Sequence, residues 1–346
     1  MTYQEMLENA RTCMGSYCKA CTECNGKVCK NQVPGPGAKG IGDVAIRNYD
    51  AWKKIRINMN TISENVEPDT RFDFFGHTLK YPIMAGPVGA VKMHYGDKYD
   101  DIQYNDILVN AAKEAGILAF TGDGTNPEVM KAAVSAIKSA DGFGVPTIKP
   151  WDVNTLEEKF KLVDASDSFA VAMDVDAAGL PFLQGLVPPA GSKTTEELRA
   201  IVERAGKPFI VKGVMTVKGA LAAREAGAAA IIVSNHGGRV LDQTPSTAEV
   251  LEEIADAVGD SMMILVDGGI RSGIDILKAI ALGADGVLIA RPYVTAVYGG
   301  AADGVSCLTE KLGRELKDAM KMCGVATLKD ITKDQLFCPT SRYVRF

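Results

Sequence analysis

From Tyr81 onward the chain alternates short apolar runs with stretches of helical periodicity, and it does so eight times. The runs are Pro82–Ala85, Ile117–Phe120, Val145–Lys149, Phe169–Asp174, Pro208–Lys212, Ala229–Ser234, Met262–Val266 and Gly286–Ala290. Helical stretches follow them at Asn105–Ala115, Pro127–Ser139, Leu156–Ala165, Thr195–Ala205, Val217–Ala226, Thr247–Val258, Gly273–Leu282 and Val305–Met322. Segments such as AIIVS, MMILV and GVLIA are apolar throughout, the mark of strands covered on both faces. Strands that alternate with helices pair in parallel through right-handed crossovers. Eight such units in about 240 residues fit a closed barrel. The expected class is therefore α/β, a (β/α)8 TIM barrel with an N-terminal Cys-rich extension. An open doubly wound sheet is the alternative, but the count closes at eight with no remainder. We expect the extension over residues 1–45, the barrel over 46–325 and a C-terminal tail packing on the barrel over 326–346.

Composition narrows the function. With 47% hydrophobic residues in 346, the chain can bury a large core. Its 38 Lys+Arg against 43 Asp+Glu leave a formal net charge of -5. A mild acidic excess argues against nucleic acid or an anionic membrane as partner. The opening MTYQEMLENARTC has no apolar h-region, and no stretch reaches the roughly 18 apolar residues of a span, so a cytoplasmic protein is expected. Residues 1–45 are rich in Cys and end in VPGPGAKGIGD, a Pro/Gly density that reads as extended chain. The later RFDFFGHTLKY reads as a small hairpin.

Barrel chemistry belongs at strand C-termini, drawn from several strands. Strand five ends in Lys212, strand six in Ser234–Asn235–His236–Gly237–Gly238–Arg239, strand seven in Asp267–Gly268–Gly269–Ile270–Arg271, and strand eight in Ala290–Arg291–Pro292. A lysine straight after a buried strand is costly to desolvate unless an anion faces it, although a snorkelling surface lysine has the same sequence. His236 before a Gly pair is a candidate base, and equally a common turn residue. DGG leading into a helix resembles an anion nest, with Arg271 or Arg291 completing a phosphate site.

These blocks carry a resemblance. VKGVMTVKGALAAREAGAAAIIVSNHGGRVLD and LVDGGIRSGIDILKAIALGADGVLIARP are similar to the FMN-dependent 2-hydroxy acid dehydrogenases and oxidases, the family of glycolate oxidase, lactate oxidase and the flavin domain of flavocytochrome b2. The likeness is strongest from Pro208 to Pro292 and weaker at Pro82–Pro87 and at GIGDVAIRNYDAW. It implies FMN as cofactor and hydride removal from a 2-hydroxy acid. By the same resemblance, His236 is the base, Asp176 orients it, Lys212 stabilises the anionic reduced flavin, and Arg239 pairs with the substrate carboxylate. Ala85, Gly86, Pro87 and Ser234 are expected to touch the isoalloxazine. Asp267, Gly269, Arg271, Ala290 and Arg291 fall at the cofactor, the last four at its phosphate. Family members are usually homo-oligomers. The competing readings are a non-redox FMN isomerase of the type 2 isopentenyl diphosphate kind, a flavoprotein acting on a different substrate, and an interaction protein that keeps a flavin without turnover.

Several positions depart from the family pattern. Lys149 stands where a Tyr is usual, Asp174 where a Thr is usual, and Ala290 where a Gly is usual. The loop AAGLPFLQGLVPPAGSKT lacks the Arg that normally grips the substrate carboxylate. Lys149 is a candidate replacement for that clamp, or the substrate is larger or not a simple 2-hydroxy carboxylate, and the Leu/Pro/Phe-rich loop suggests a more apolar pocket. Cys18, Cys21, Cys24 and Cys29 form a cluster outside the family pattern. Their x₂, x₂ and x₄ spacing is similar to ferredoxin-type [4Fe–4S] ligation, except that the last gap is one longer and no Pro follows Cys29, and Cys₄ zinc or free thiols fit it too.

Overall fold

The structure is a computed structural model that describes residues 1–181, 183 and 185–337. Eight strands close a barrel: β1 (Ile83–Ala85), β2 (Leu118–Thr121), β3 (Val145–Ile148), β4 (Val171–Asp174), β5 (Phe209–Val214), β6 (Ala230–Val233), β7 (Met263–Val266) and β8 (Gly286–Ile289). Each pairs in parallel with its neighbour in sequence. Closure comes where β8 returns to β1, with Val287 beside Ile83 and Ile289 beside Ala85. All eight expected strands are present, and the intervening helices lie where the periodicity puts them.

Side chains fill the barrel interior. Met84, Leu118, Phe120, Ile210, Ile232, Leu265 and Leu288 form one buried cluster with Phe72, Phe74 and Leu79. The last three come from the hairpin Phe72–Phe74/His77–Leu79, which thus plugs the barrel at the N-terminal ends of the strands. Burying each large side chain contributes roughly 1.5–3 kcal/mol. With one end sealed by this apolar plug, the other is left for chemistry.

The N-terminal lead departs from the extended reading. Residues Tyr3–Cys13 are a helix, opened by a capping box in which Thr2 and Glu5 satisfy each other's backbone N–H. The T-x-x-E signal was in the sequence, beneath the cysteines and prolines that follow it. A second helix, Asp43–Lys54, runs across the expected boundary at residue 45. The last helix spans Arg291–Cys323 and starts directly after β8, with a break at Gly300–Ala301, rather than at Val305. The tail returns to the body where Leu336–Phe337 pairs with Arg56–Ile57. Residues 338–346, including Cys338, lie outside the described residues.

Candidate active site

The seven lining groups that matter most come from five strand ends: Gly86 and Pro87 after β1, Lys149 after β3, Lys212 on β5, His236 after β6, and Gly269 and Arg271 after β7. Together with Ala290 and Arg291 beyond β8, they border a cavity of about 470 Å³ at the C-terminal end of the barrel. That is a typical size for a small-molecule or cofactor site.

One end of the cavity holds a compact charge network. Parallel register sets Asp174 of β4 beside Lys212 of β5. Lys212 Nζ lies 3.1 Å from Asp174 Oδ1 and 3.8 Å from Asp267 Oδ2. Lys149 Nζ lies 2.6 Å from Asp174 Oδ2. All three members of this triad are buried. Burial alone would push the Asp174 carboxyl up, but Lys149 and Lys212 outweigh it and hold it well below the usual carboxylate range. Burial likewise pulls Lys212 down, and Asp174, Asp176 and Asp267 more than restore it, so its ammonium is firmly charged.

His236 stands next to this network. Its Nδ1 lies 3.0 Å from Asp176 Oδ1, and its backbone N–H donates to Ser234 Oγ at 3.1 Å. An ionised carboxylate only accepts, so Nδ1 carries the proton and Nε2 keeps its lone pair. Burial and then the Lys212 charge depress the imidazole, and Asp176 does not fully compensate. The ring is therefore neutral at ordinary pH. Asp176 gets close because β5 bulges at Gly213, which is left-handed at φ 104°. A Cβ there would fall 2.5 Å from Asp176 Cγ. Asp174, Asp176 and His236 are the one group of three among the described residues with metal-ligand spacing. Two ammonium groups already face Asp174, so the charge there is met without a metal.

A second group of residues bordering the cavity is built for an anion. Gly268 and Gly269 are both left-handed, at φ 89° and 82°. A Cβ on Gly269 would fall 2.1 Å from Asn48 O. Among the described residues, neither N–H has an acceptor. The helix Arg291–Cys323 begins here without a side-chain cap. Open N–H groups, a helix N-terminus and the guanidiniums of Arg271 and Arg291 together suit a phosphate. The helix Asp43–Lys54 pins this end: Trp52 Nε1 donates to Gly268 O at 2.8 Å, and Asn48 and Asn235 exchange hydrogen bonds at 2.8 and 3.0 Å. A phosphate nest, a 470 Å³ void and a buried ammonium bordering the same void fit FMN.

Not every expected residue sits as the sequence implied. Ala85 and Ser234 are fully buried and do not border the cavity; Ser234 instead holds the His236 turn. Lys149 reaches the cavity, but its ammonium is held by Asp174 rather than standing ready as a carboxylate clamp. The two departures from the family pattern, Lys149 and Asp174, thus compensate each other. Arg239 also borders the cavity, while its guanidinium donates to the carbonyls of Gly35 at 2.5 Å, Gly37 at 3.2 Å and Pro34 at 3.4 Å. Arg271 donates to Cys24 O at 2.8 Å. The N-terminal lead therefore folds over the mouth of the barrel.

Sequence reasoning missed two contributors. His94 lines the cavity, with Nδ1 against Pro34 O, and burial followed by the Arg239 charge pushes it down to about 4. Asn48 sits in GIGDVAIRNYDAW, a segment of weaker family likeness to which no site role is attached. Leu180, Leu183 and Leu186 from the loop after β4 give the cavity an apolar wall.

The model of the FMN-dependent dehydrogenase family matches residues 36–181 and 182–337. The chain belongs to this family. It is 30% identical to an L-lactate oxidase of Lactobacillus jensenii over 82% of this chain and 75% of that protein. It is 47% identical to a 4-hydroxymandelate oxidase of Amycolatopsis orientalis over 83% of this chain and 88% of that one. A refolded Pediococcus acidilactici protein bearing a lactate oxidase name superposes with a TM-score of 0.80 at 25% identity, covering 100% of this chain and 95% of its own. A mandelate oxidase solved with (S)-2-phenylpropionate shares the fold, with a TM-score of 0.76 at 24% identity over 97% of both chains. The protein is an FMN-dependent enzyme of the 2-hydroxy acid oxidase and dehydrogenase type. No helix among the described residues is long and apolar enough to cross a membrane.

Proposed function

We propose that the protein oxidises a 2-hydroxy acid with an apolar side group to the 2-oxo acid, with His236 as the base. The observation that carries this reading is the His236 imidazole, held by Asp176 at 3.0 Å and facing the same cavity as the buried Lys212 ammonium. Bound FMN supplies the two-electron acceptor for the hydride on substrate C2.

The chain's own residues do the rest. His236 Nε2 takes the hydroxyl proton, and Asp176 stabilises the imidazolium that results. Lys212 fixes a positive charge where negative charge develops on the cofactor. Arg271, Arg291 and the N–H groups of Gly268 and Gly269 would hold its phosphate. Gly86 and Pro87 form the wall at the β1 end. Arg239 presents the cation for the substrate carboxylate, and its carbonyl bonds to the lead fix the guanidinium plane. With no arginine after β4, Leu180 and Leu183 line the wall instead and suit an aryl or alkyl substituent. The 4-hydroxymandelate oxidase relative is consistent with that preference.

The test is anaerobic mixing of the holoenzyme with mandelate, 4-hydroxymandelate, lactate and glycolate. Loss of flavin absorbance matched mole for mole by 2-oxo acid is expected, most readily with the aryl acids. Silence across the panel, with turnover of isopentenyl diphosphate, would replace this reading with the isomerase.

A further inference from the structure

The cysteines of the lead take no part in the site above, yet the fold gathers them. Cys18, Cys21, Cys24 and Cys29 line a single cavity beside the barrel mouth. All four are free thiols. Left-handed Ala20 and Gly26, at φ 41° and 82°, curl the backbone around that cavity. Met6 and Leu7 of the first helix form an apolar wall, 1% and 2% exposed. Arg291 forms another wall, and Arg271 is tied to the Cys24 carbonyl at 2.8 Å. Cys13 is outside the group: its thiol points to Tyr298 O at 3.2 Å.

We propose that Cys18, Cys21, Cys24 and Cys29 hold a [4Fe–4S] cluster. Sulfur spacing separates this from zinc. A tetrahedral zinc with bonds of about 2.3 Å draws its four sulfurs to about 3.8 Å from one another. Among the described residues, no three of these thiols have their sulfurs mutually within 4.8 Å, although all four face one cavity. A cubane keeps its thiolates farther apart, because the iron–sulfide box stands between them. Its net negative charge needs cations nearby, and Arg271 and Arg291 supply them. Arg291 also lines the flavin cavity, so the cluster neighbours the phosphate end of the FMN site. The Cys-x₂-Cys-x₂-Cys order delivers three ligands from one tight segment, and Cys29 closes the set from the far side of Gly26.

The test is elemental and spectroscopic, and it is independent of which acid is the substrate. Full-length protein is purified anaerobically and assayed for iron, acid-labile sulfide and zinc. About four iron and four sulfide per chain are expected, with an electron paramagnetic resonance signal after dithionite reduction. Cys18→Ser and Cys24→Ser should each lose most of the iron and the signal, whereas Cys13→Ser should keep both. Circular dichroism confirms that each variant is folded. Should one unfold, the half-buried Cys21→Ser serves in its place. About one zinc per chain without sulfide, or metal-free thiols that stay so after anaerobic reconstitution with iron and sulfide, would overturn the proposal. Iron retained in folded Cys18→Ser and Cys24→Ser would do so equally.

Discussion

Replacing Asp174 by Thr, the residue usual in the family, leaves Lys149 without its partner at 2.6 Å and strips Lys212 of its contact at 3.1 Å. Among the described residues Lys212 keeps Asp267, at 3.8 Å, and the charge of Asp176. Breaking a buried ion pair on one side costs about 3–5 kcal/mol, because a charge is stranded out of water. The double variant Asp174→Thr/Lys149→Tyr removes the stranded ammonium along with the carboxylate, so it should recover about 2 kcal/mol or more of that loss. For 346 residues, at about 2.1 cal/mol/K each, the unfolding entropy is about 0.7 kcal/mol/K. Asp174→Thr alone should then lower Tm by about 4–7 °C, and the double variant by several degrees less than the sum of its two singles. Thermal melts followed by circular dichroism, all at one FMN concentration, read this directly. A single variant melting within about 1 °C of wild type, or a double variant showing the plain sum, would refute the view that the two residues are one compensated unit.

Other outcomes follow from the same geometry. Asp176→Asn withdraws the charge that raises His236, so the acid limb of kcat/KM should move to lower pH while kcat falls by about 10²-fold or more, as a pH–rate profile would show. Against the leucine wall, a phenyl substituent in place of a methyl is worth roughly 2 kcal/mol of burial, so mandelate should exceed lactate in kcat/KM by at least 10-fold; equal values would count against the apolar reading. His94 is held down to about 4 against 6.5 for a free imidazole. Between those values the unfolded chain binds more protons than the folded one, so stability should be present above pH 6.5 and be lost as pH falls toward 4, by about 3 kcal/mol in all. Denaturant midpoints against pH should show that slope, and His94→Gln should flatten it.

How much of this was legible beforehand depended on how local the signal was. The eight strands were readable because a doubly covered strand must be apolar throughout, and AIIVS or MMILV can be little else. Lys212, His236, Arg271 and Arg291 were findable because barrel chemistry is confined to strand ends. What escaped was long-range pairing. That Lys149 answers Asp174 depends on β3 and β4 lying side by side with both side chains turned to the cavity. That Arg239 is bound by carbonyls of residues 34–37 depends on how the lead folds back, which no periodicity encodes. Asn48 was given no role, although its segment resembles the family, because its partner Asn235 is 187 residues away. The first helix was hidden by composition, since the Pro/Gly density after it dominated the reading of the whole segment.

The central step proposed for the site is a neutral imidazole taking the substrate's hydroxyl proton beside the bound cofactor. Anaerobic single-turnover loss of flavin absorbance by mandelate, followed from pH 5 to 9 in wild type and His236→Gln, addresses this most directly. The wild-type rate should stay level through pH 6.5 and fall only below it, and the variant should keep its FMN but react about 10²–10⁴-fold more slowly with that limb gone. A variant that reacts at the wild-type rate, or retains the same acid limb, would contradict it.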